Sequence, residues 1–269
     1  MRSIVAARPP IYYPTQLTLY RQCPERYFHR HVERRRVEEG FSPALAKGQA
    51  IHAILAEYFD TYRREGGFPT DLRDRAEYYL PRGPYPHDKA WQHDVATIIA
   101  QVEFALLSFD RTAVVVATEV TYEYAYPGSP DCPPFTLRAK VDRVIRYQDG
   151  TLEHADYKTG SGTRIDPLQN VISRIVVGQQ FRGELSLILS ASIFLAGQSL
   201  RVDRLTREQV QETWREIKET ARAIVEAKEW PASRSPLCAW CPFSSDGCSL
   251  YTPPEDGEQL TEWLEVAAS

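Results

Sequence analysis

Cysteines drawn from both ends of the chain constrain its fold more than any other feature. Cys238, Cys241 and Cys248 form a C-x2-C-x6-C run near the C-terminus, and Cys23 stands near the N-terminus. Cys23 and Cys241 are each followed by proline. Four such thiolates can hold one metal centre only if the fold returns the C-terminal segment to the N-terminal one. Residues 1–14 lack the apolar core of a signal peptide. The longest apolar run, 185–196, contains serines and is too short to span a bilayer. The expected compartment is therefore the cytoplasm, with no membrane partner, where thiols stay reduced and cysteines serve as ligands more often than as disulfides. The fifth cysteine, Cys132, lies in a Pro-rich stretch and reads as a bystander.

The 269 residues suffice for one large domain or a domain plus a small appendage, and 43% hydrophobic with 25% charged residues is ordinary for a globular protein. A net charge of −4 supplies no global basic field, which counts against a protein that coats nucleic acid nonspecifically. Local clustering differs: Arg26, Arg30 and Arg34 recur every four residues, which predicts one face of a helix. That face is either solvated or a grip on phosphates.

Apolar spacing predicts a helix over 44–64, with Ile51, Ile54, Leu55, Tyr58 and Tyr62 as its buried stripe, and a second over 88–109. The stretches 66–69 and 81–86 read as breaks. The Val-, Thr- and Tyr-rich segment 113–126, the alternating segment 135–147 and the segment 151–159 read as strands, with Gln148-Asp149-Gly150 as the turn between the last two. Residues 179–196 read as a helix or a buried apolar segment, and 200–205 as a short strand. Thr206 and Gln209 form a capping-box pair at the start of a helix that runs to about Trp230. The order predicts an α/β fold: a small mixed central sheet flanked by helices. A single domain over 1–269 is expected, with 44–110 as a helical segment, 113–230 as the α/β core and 252–269 as an acidic tail.

Asp142, Asp156 and Lys158 carry the chemistry. Strand alternation puts Asp156 and Lys158 on one face. A three-residue turn pairs Tyr147 with Thr151 and so brings Asp142 opposite Asp156, whereas a two-residue turn would set it opposite Tyr157. Two carboxylates roughly 5 Å apart repel unless a cation lies between them. Oxygen ligands of this kind suit Mg²⁺ or Mn²⁺, and a lysine beside them can stabilise charge that builds on a phosphoryl group. The bland alternative is an exposed hairpin with an Asp–Lys pair. His52 falls at the edge of its helix's apolar stripe, where a histidine is more often a packed core residue than a ligand.

With these residues in view, the chain resembles the RecB-like branch of the PD-(D/E)xK nuclease superfamily. More narrowly, it is similar to its iron–sulfur exonucleases, which include the AddB nuclease domain, the CRISPR-associated adaptation nuclease and phage-encoded relatives. The residues that carry the likeness are Thr15 to Pro24, Gly48 to His52, Val141-Asp142-Arg143, Asp156-Tyr157-Lys158-Thr159-Gly160 and Cys238 to Cys248. The resemblance implies a restriction-endonuclease-like core with metal held by His52, Asp142, Asp156 and the Tyr157 carbonyl, and Lys158 as catalytic lysine. It implies a 4Fe-4S cluster on Cys23, Cys238, Cys241 and Cys248 that staples an N/C-terminal helical region, 1–40 plus 230–250. The family also places a glutamine in the helix after the catalytic strands, followed four residues later by tyrosine. Here Gln180 supplies the residue type, although Glu184 fits the helix length to Gly197 better; Gln180 is taken.

Four cysteines also suit zinc, but Cys23 lacks the CxxC partner of a zinc ribbon. The expected function is metal-dependent hydrolysis of DNA from single-stranded ends, with recombination, replication or CRISPR-adaptation proteins as partners. A helical insertion around 66–110 favours a stand-alone or phage-type enzyme over an adaptation nuclease. Two readings compete with it: a noncatalytic DNA-binding or scaffold module with a structural zinc or iron–sulfur site, and a redox sensor switched by its cluster.

Overall fold

The computed structural model describes residues 8–37, 41–182, 185–244 and 247–250. The acidic tail expected over 252–269 and the alternative Glu184 lie outside the described residues. The chain divides into two compact units. The smaller comprises Met1–Glu38, Pro127–Phe135 and Arg215–Ser269, and the larger comprises Glu39–Tyr126 and Thr136–Trp214.

The smaller unit opens with a short strand, β1 (Ile11–Tyr12), and two helices, α1 (Pro14–Gln22) and α2 (Pro24–Tyr27). Proline stands at the start of both helices, where a missing N–H costs nothing. The Tyr13 N–H donates to Gln16 Oε1 at 2.9 Å and closes the first turn of α1. Cys23 is extended between the helices, and its Sγ accepts the Arg26 N–H at 3.4 Å as the N-cap of α2. Winding then widens to a π-turn over Phe28–Val32, and Arg34 takes a left-handed φ of 57°. The regular helix face expected for Arg26, Arg30 and Arg34 is therefore absent. Arg26 is half-buried with its Nε out of solvent, whereas Arg30 and Arg34 are exposed. Trp230 closes this unit's aromatic core, with Tyr20, Tyr27 and Phe28 at 5.4–6.0 Å from its ring.

In the larger unit, α3 (Pro43–Glu65) is capped by the Ser42 hydroxyl and ends at Gly66, whose φ of 76° supplies the left-handed turn. Ile51, Ile54, Leu55, Tyr58 and Phe59 are 1% exposed or less and form its inward stripe. Each such side chain contributes roughly 1.5–3 kcal/mol by burial. α4 (Leu72–Tyr79) and α5 (Asp88–Leu107) pack beside it. The sequence reading missed α4, a short helix whose only buried residue is Ala76, so it carries no apolar stripe to detect.

Five strands follow: β2 (Val114–Tyr126), β3 (Phe135–Arg146), β4 (Leu152–Lys158), β5 (Ile188–Phe194) and β6 (Ser199–Asp203), with α6 (Pro167–Phe181) between β4 and β5 and α7 (Arg207–Glu226) after β6. These five strands pair in the order β2-β3-β4-β5-β6, with β4 parallel to β5, β3 antiparallel to β4 and β5 antiparallel to β6. This is a mixed α/β fold with a mixed central sheet flanked by helices, consistent with a restriction-endonuclease-like core. The helix-or-apolar segment expected over 179–196 is in fact the end of α6 followed by β5. A parallel strand covered on both faces reads as an unbroken apolar run, and periodicity cannot tell it from a buried helix.

Alternation along β4 separates the two faces. Ala155 and Tyr157 join Ala191 and Ile193 in the core under α3 and α5. Arg143, 3% exposed, belongs to that core too. It pairs with Glu153 at 3.2 Å and lies over the rings of Phe59 and Phe109 at 4.7 and 5.4 Å, a cation–π contact that offsets its burial. Among the described residues no helix is long and apolar enough to cross a membrane.

Candidate active site

The β3–β4 hairpin sets the site. The Tyr147 N–H donates to the Thr151 carbonyl at 2.9 Å around a turn in which Gly150 has φ 85°. The ladder runs from Arg146↔Leu152 to Arg143↔Ala155. One step further stand Asp142 and Asp156. There the ladder ends, and the Asp142 carboxylate itself accepts the Tyr157 N–H at 2.7 Å. This contact fixes Asp142 against the backbone of the strand that carries Asp156 and Lys158.

From α3, His52 reaches the same strand. Its Nε2 donates to the Tyr157 carbonyl at 3.2 Å, and its Nδ1 lies 3.0 Å from Glu119 Oε1 and 3.4 Å from Asp142 Oδ1. Gly48, one turn earlier, lets α3 come this close: a Cβ there would stand 3.1 Å from Thr159 Oγ1. Burial alone would depress the imidazole, but hydrogen bonds and charge from Asp142 and Glu119 raise its pKa to about 10. Donor atoms of His52, Glu119 and Asp142 lie within 4.8 Å of one another, a group able to hold a metal ion.

Glu119 reaches this group because β2 is bulged. Inward positions are odd-numbered at Val115 and Ala117, whereas Thr121 and Glu123 are exposed. The phase reverses around Glu119, whose φ is 48°. Such a bulge re-aims a side chain at the cost of local strain. Burial raises the Glu119 carboxyl, but hydrogen bonds from His52 and Lys140 outweigh it and hold the group below the usual carboxylate range.

On the face of β4 away from the Tyr157 side chain, Asp156, Lys158 and Gln169 close a triangle. Lys158 Nζ is 2.5 Å from Asp156 Oδ2 and donates to Gln169 Oε1 at 2.9 Å, while Gln169 Nε2 donates to Asp156 Oδ1 at 2.9 Å. Burial first, then the charge of Asp142, raises the Asp156 carboxyl, and Lys158 partly opposes them. An amide between a carboxylate and an ammonium satisfies both and fixes their separation.

The sequence pattern of the PD-(D/E)XK nuclease superfamily matches residues 14–245. The chain belongs to that superfamily. No curated protein matches it. Among solved structures it is similar to a crystal structure of SSO0001, at 14% identity over 90% of this chain and 87% of that one, with a TM-score of 0.42.

Members of the PD-(D/E)XK superfamily are usually metal-dependent nucleases acting on nucleic acid. The structure of this member brings His52, Asp142, Asp156, the Tyr157 carbonyl and Lys158 together. It does not bring Gln180, which lies exposed near the C-terminal end of α6. Gln169, in the first turn of the same helix, makes the contact expected of Gln180. The misplacement follows from reading α6 too late in the chain: Asp166 caps the helix, and Pro167 opens it, so its first turn faces the end of β4. The sequence reading also missed Glu119. Its one signal was a carboxylate within an apolar strand, and no spacing rule anticipates a bulge there.

The four candidate cluster ligands all belong to the smaller unit. Cys23, Cys238, Cys241 and Cys248 are half-buried and free of disulfides. Burial first, then the Glu25 carboxylate and Cys23, raises the Cys248 thiol. His29 holds the loop before Cys248, its ring 2.8 Å from the Gly247 carbonyl and 2.7 Å from Glu33.

Proposed function

We propose that this nuclease is a Mg²⁺- or Mn²⁺-dependent exonuclease that degrades DNA from single-stranded ends and carries a structural 4Fe-4S cluster. The observation that carries the reading is the meeting of His52, Glu119 and Asp142 donors within 4.8 Å beside the Asp156–Lys158–Gln169 triangle. His52, Asp142, Asp156 and the Tyr157 carbonyl would hold the ion, with Glu119 as a further carboxylate. When bound, a divalent ion supplies Lewis acidity to a phosphoryl oxygen and acidifies a water. Lys158 presents its ammonium beside the same carboxylates, where charge builds as the phosphodiester is attacked. Gln169 holds that ammonium in place before substrate arrives, so no reorganisation is needed at the moment of reaction.

The cysteine spacing supports a cluster over zinc, because Cys23 lacks the CxxC partner that a zinc ribbon uses. The cluster's role would be structural, holding the N-terminal helices to the C-terminal cysteine loop.

Anaerobic purification tests both halves. Protein with bound iron and sulfide that degrades a linear single strand in Mn²⁺, and spares a covalently closed circle, is the expected result. Cleavage of the circle would make it an endonuclease. Colourless zinc protein that binds but never cuts would favour the noncatalytic module.

A further inference from the structure

A cleft of about 620 Å³ opens beside His52 and Glu119. Its volume falls among those of sites for small organic ligands, roughly 300–1,000 Å³. One wall is the outer side of α3, where the small residues Ala44, Gly48, Ala53 and Ala56 stand beside the longer Leu45. The inward side of the same helix is crowded with Ile51, Ile54 and Leu55. Lys140, 60% exposed, lines the cleft from β3 and pairs with Glu119 Oε2. Gln49 adds an exposed amide, a donor and an acceptor together, to the α3 wall.

We propose that this cleft receives one unstacked nucleotide of the substrate strand, next to the bond that is cut, with its base against the small-residue wall of α3 and its phosphate on Lys140. This rests on the nuclease reading and names its substrate form. The cleft shares His52 and Glu119 with the candidate metal group, so a nucleotide in it is contiguous with the site of cleavage. An apolar wall suits the face of any base and needs no particular sequence. The carboxylates of Glu119 and Asp142 repel a phosphate, and Lys140, from β3, counters them. A base stacked and paired within a duplex cannot enter without first being extruded. The cleft therefore selects single strands or frayed ends.

The test uses the full chain with Ala53→Leu, which fills the cleft, and Lys140→Gln, which removes the cation. Binding of a short labelled single strand is followed by fluorescence anisotropy in Ca²⁺, and Mn²⁺ affinity is measured separately by electron paramagnetic resonance. Ala53→Leu should weaken single-strand binding and leave Mn²⁺ affinity unchanged. Its penalty should vanish on a strand with an abasic site at the end. Lys140→Gln should weaken binding of every sequence alike and reduce the salt dependence by about one phosphate contact. Wild-type affinity and salt dependence in both variants would overturn the proposal. If Ala53→Leu fails to fold by circular dichroism, Lys140→Gln decides alone, because its exposed side chain has no part in the core. A wild-type protein that binds the strand but never cuts it in Mn²⁺ would remove the nuclease reading, while the same affinity comparison still judges the cleft.

Discussion

Gln169 joins two groups whose charges would otherwise move with the substrate. Removing it leaves Lys158 with Asp156 as its ion-pair partner and leaves the Asp156 Oδ1 without its amide donor. Outer-shell groups of this kind typically contribute 10–100-fold to activity or metal affinity. Gln169→Ala should therefore lower kcat by about 10–100-fold with little change in melting temperature, whereas Gln180→Ala should leave kcat near that of the wild type. Parallel steady-state assays of the two variants check this. His154, two positions before Asp156, makes a different prediction. It is buried against the Ser190 hydroxyl at 2.8 Å. Burial, reinforced by the charge of Arg174, lowers its pKa from 6.5 to about 3. The folded chain keeps it neutral while the unfolded chain takes up a proton below pH 6.5. Its contribution is thus complete above that pH and is lost as pH falls towards 3, about 2 kcal/mol by pH 5. Urea titrations at pH 7 and pH 5 should show a larger loss in the wild type than in His154→Gln.

At the scale of elements, α3 sets the height of His52 above β4, and Gly48 sets the height of α3. Alanine at 48 gains up to roughly 1 kcal/mol of helix propensity but presses on Thr159 Oγ1, so its net effect on stability should be small. Leucine has no such escape. Gly48→Leu should cost about 1–3 kcal/mol, as overpacking does, and should lower activity further by lifting His52 from the Tyr157 carbonyl. Denaturant melts of the two variants, with activity measured on each, separate packing from positioning. Much of this was legible in the sequence. The break at Gly66 ends α3, the Thr206–Gln209 box opens α7, and the Gln148-Asp149-Gly150 turn fixes the register that brings Asp142 to Asp156. The boundary between α6 and β5 was not, because both are largely buried and mostly apolar.

At the scale of the molecule, the chain divides into a unit that holds the carboxylates and a unit that holds the cysteines. In the smaller unit, Cys23 caps α2 and the C-terminal loop is tied to the N-terminal segment by His29 with the Gly247 carbonyl and by the Ser249 N–H with Glu25, at 2.8 and 3.0 Å. Among the described residues, the buried apolar side chains of this unit are far fewer than those of the larger one, and small cores commonly need a metal staple. Cys238→Ser should release iron and lower hydrogen-exchange protection of α1, α2 and the π-turn, while α3 and β3–β5 keep theirs. Exchange mass spectrometry on matched samples reads both. Retained iron and unchanged protection would show that Cys238 is not a ligand.

The sequence by itself determined the local devices: helix caps, the hairpin turn, the alternation that puts Asp156 and Lys158 on one face, and the thiols at both ends. These depend on neighbours a few residues apart, whose spacing is written in the chain. Only the tertiary structure decided that Glu119 joins His52 and Asp142, that Gln169 rather than Gln180 meets Lys158, and that the arginines after Tyr27 leave the helix face. Each of those depends on a bulge, a helix start or a change of winding. Such features are set by packing against distant elements and leave no period in the sequence.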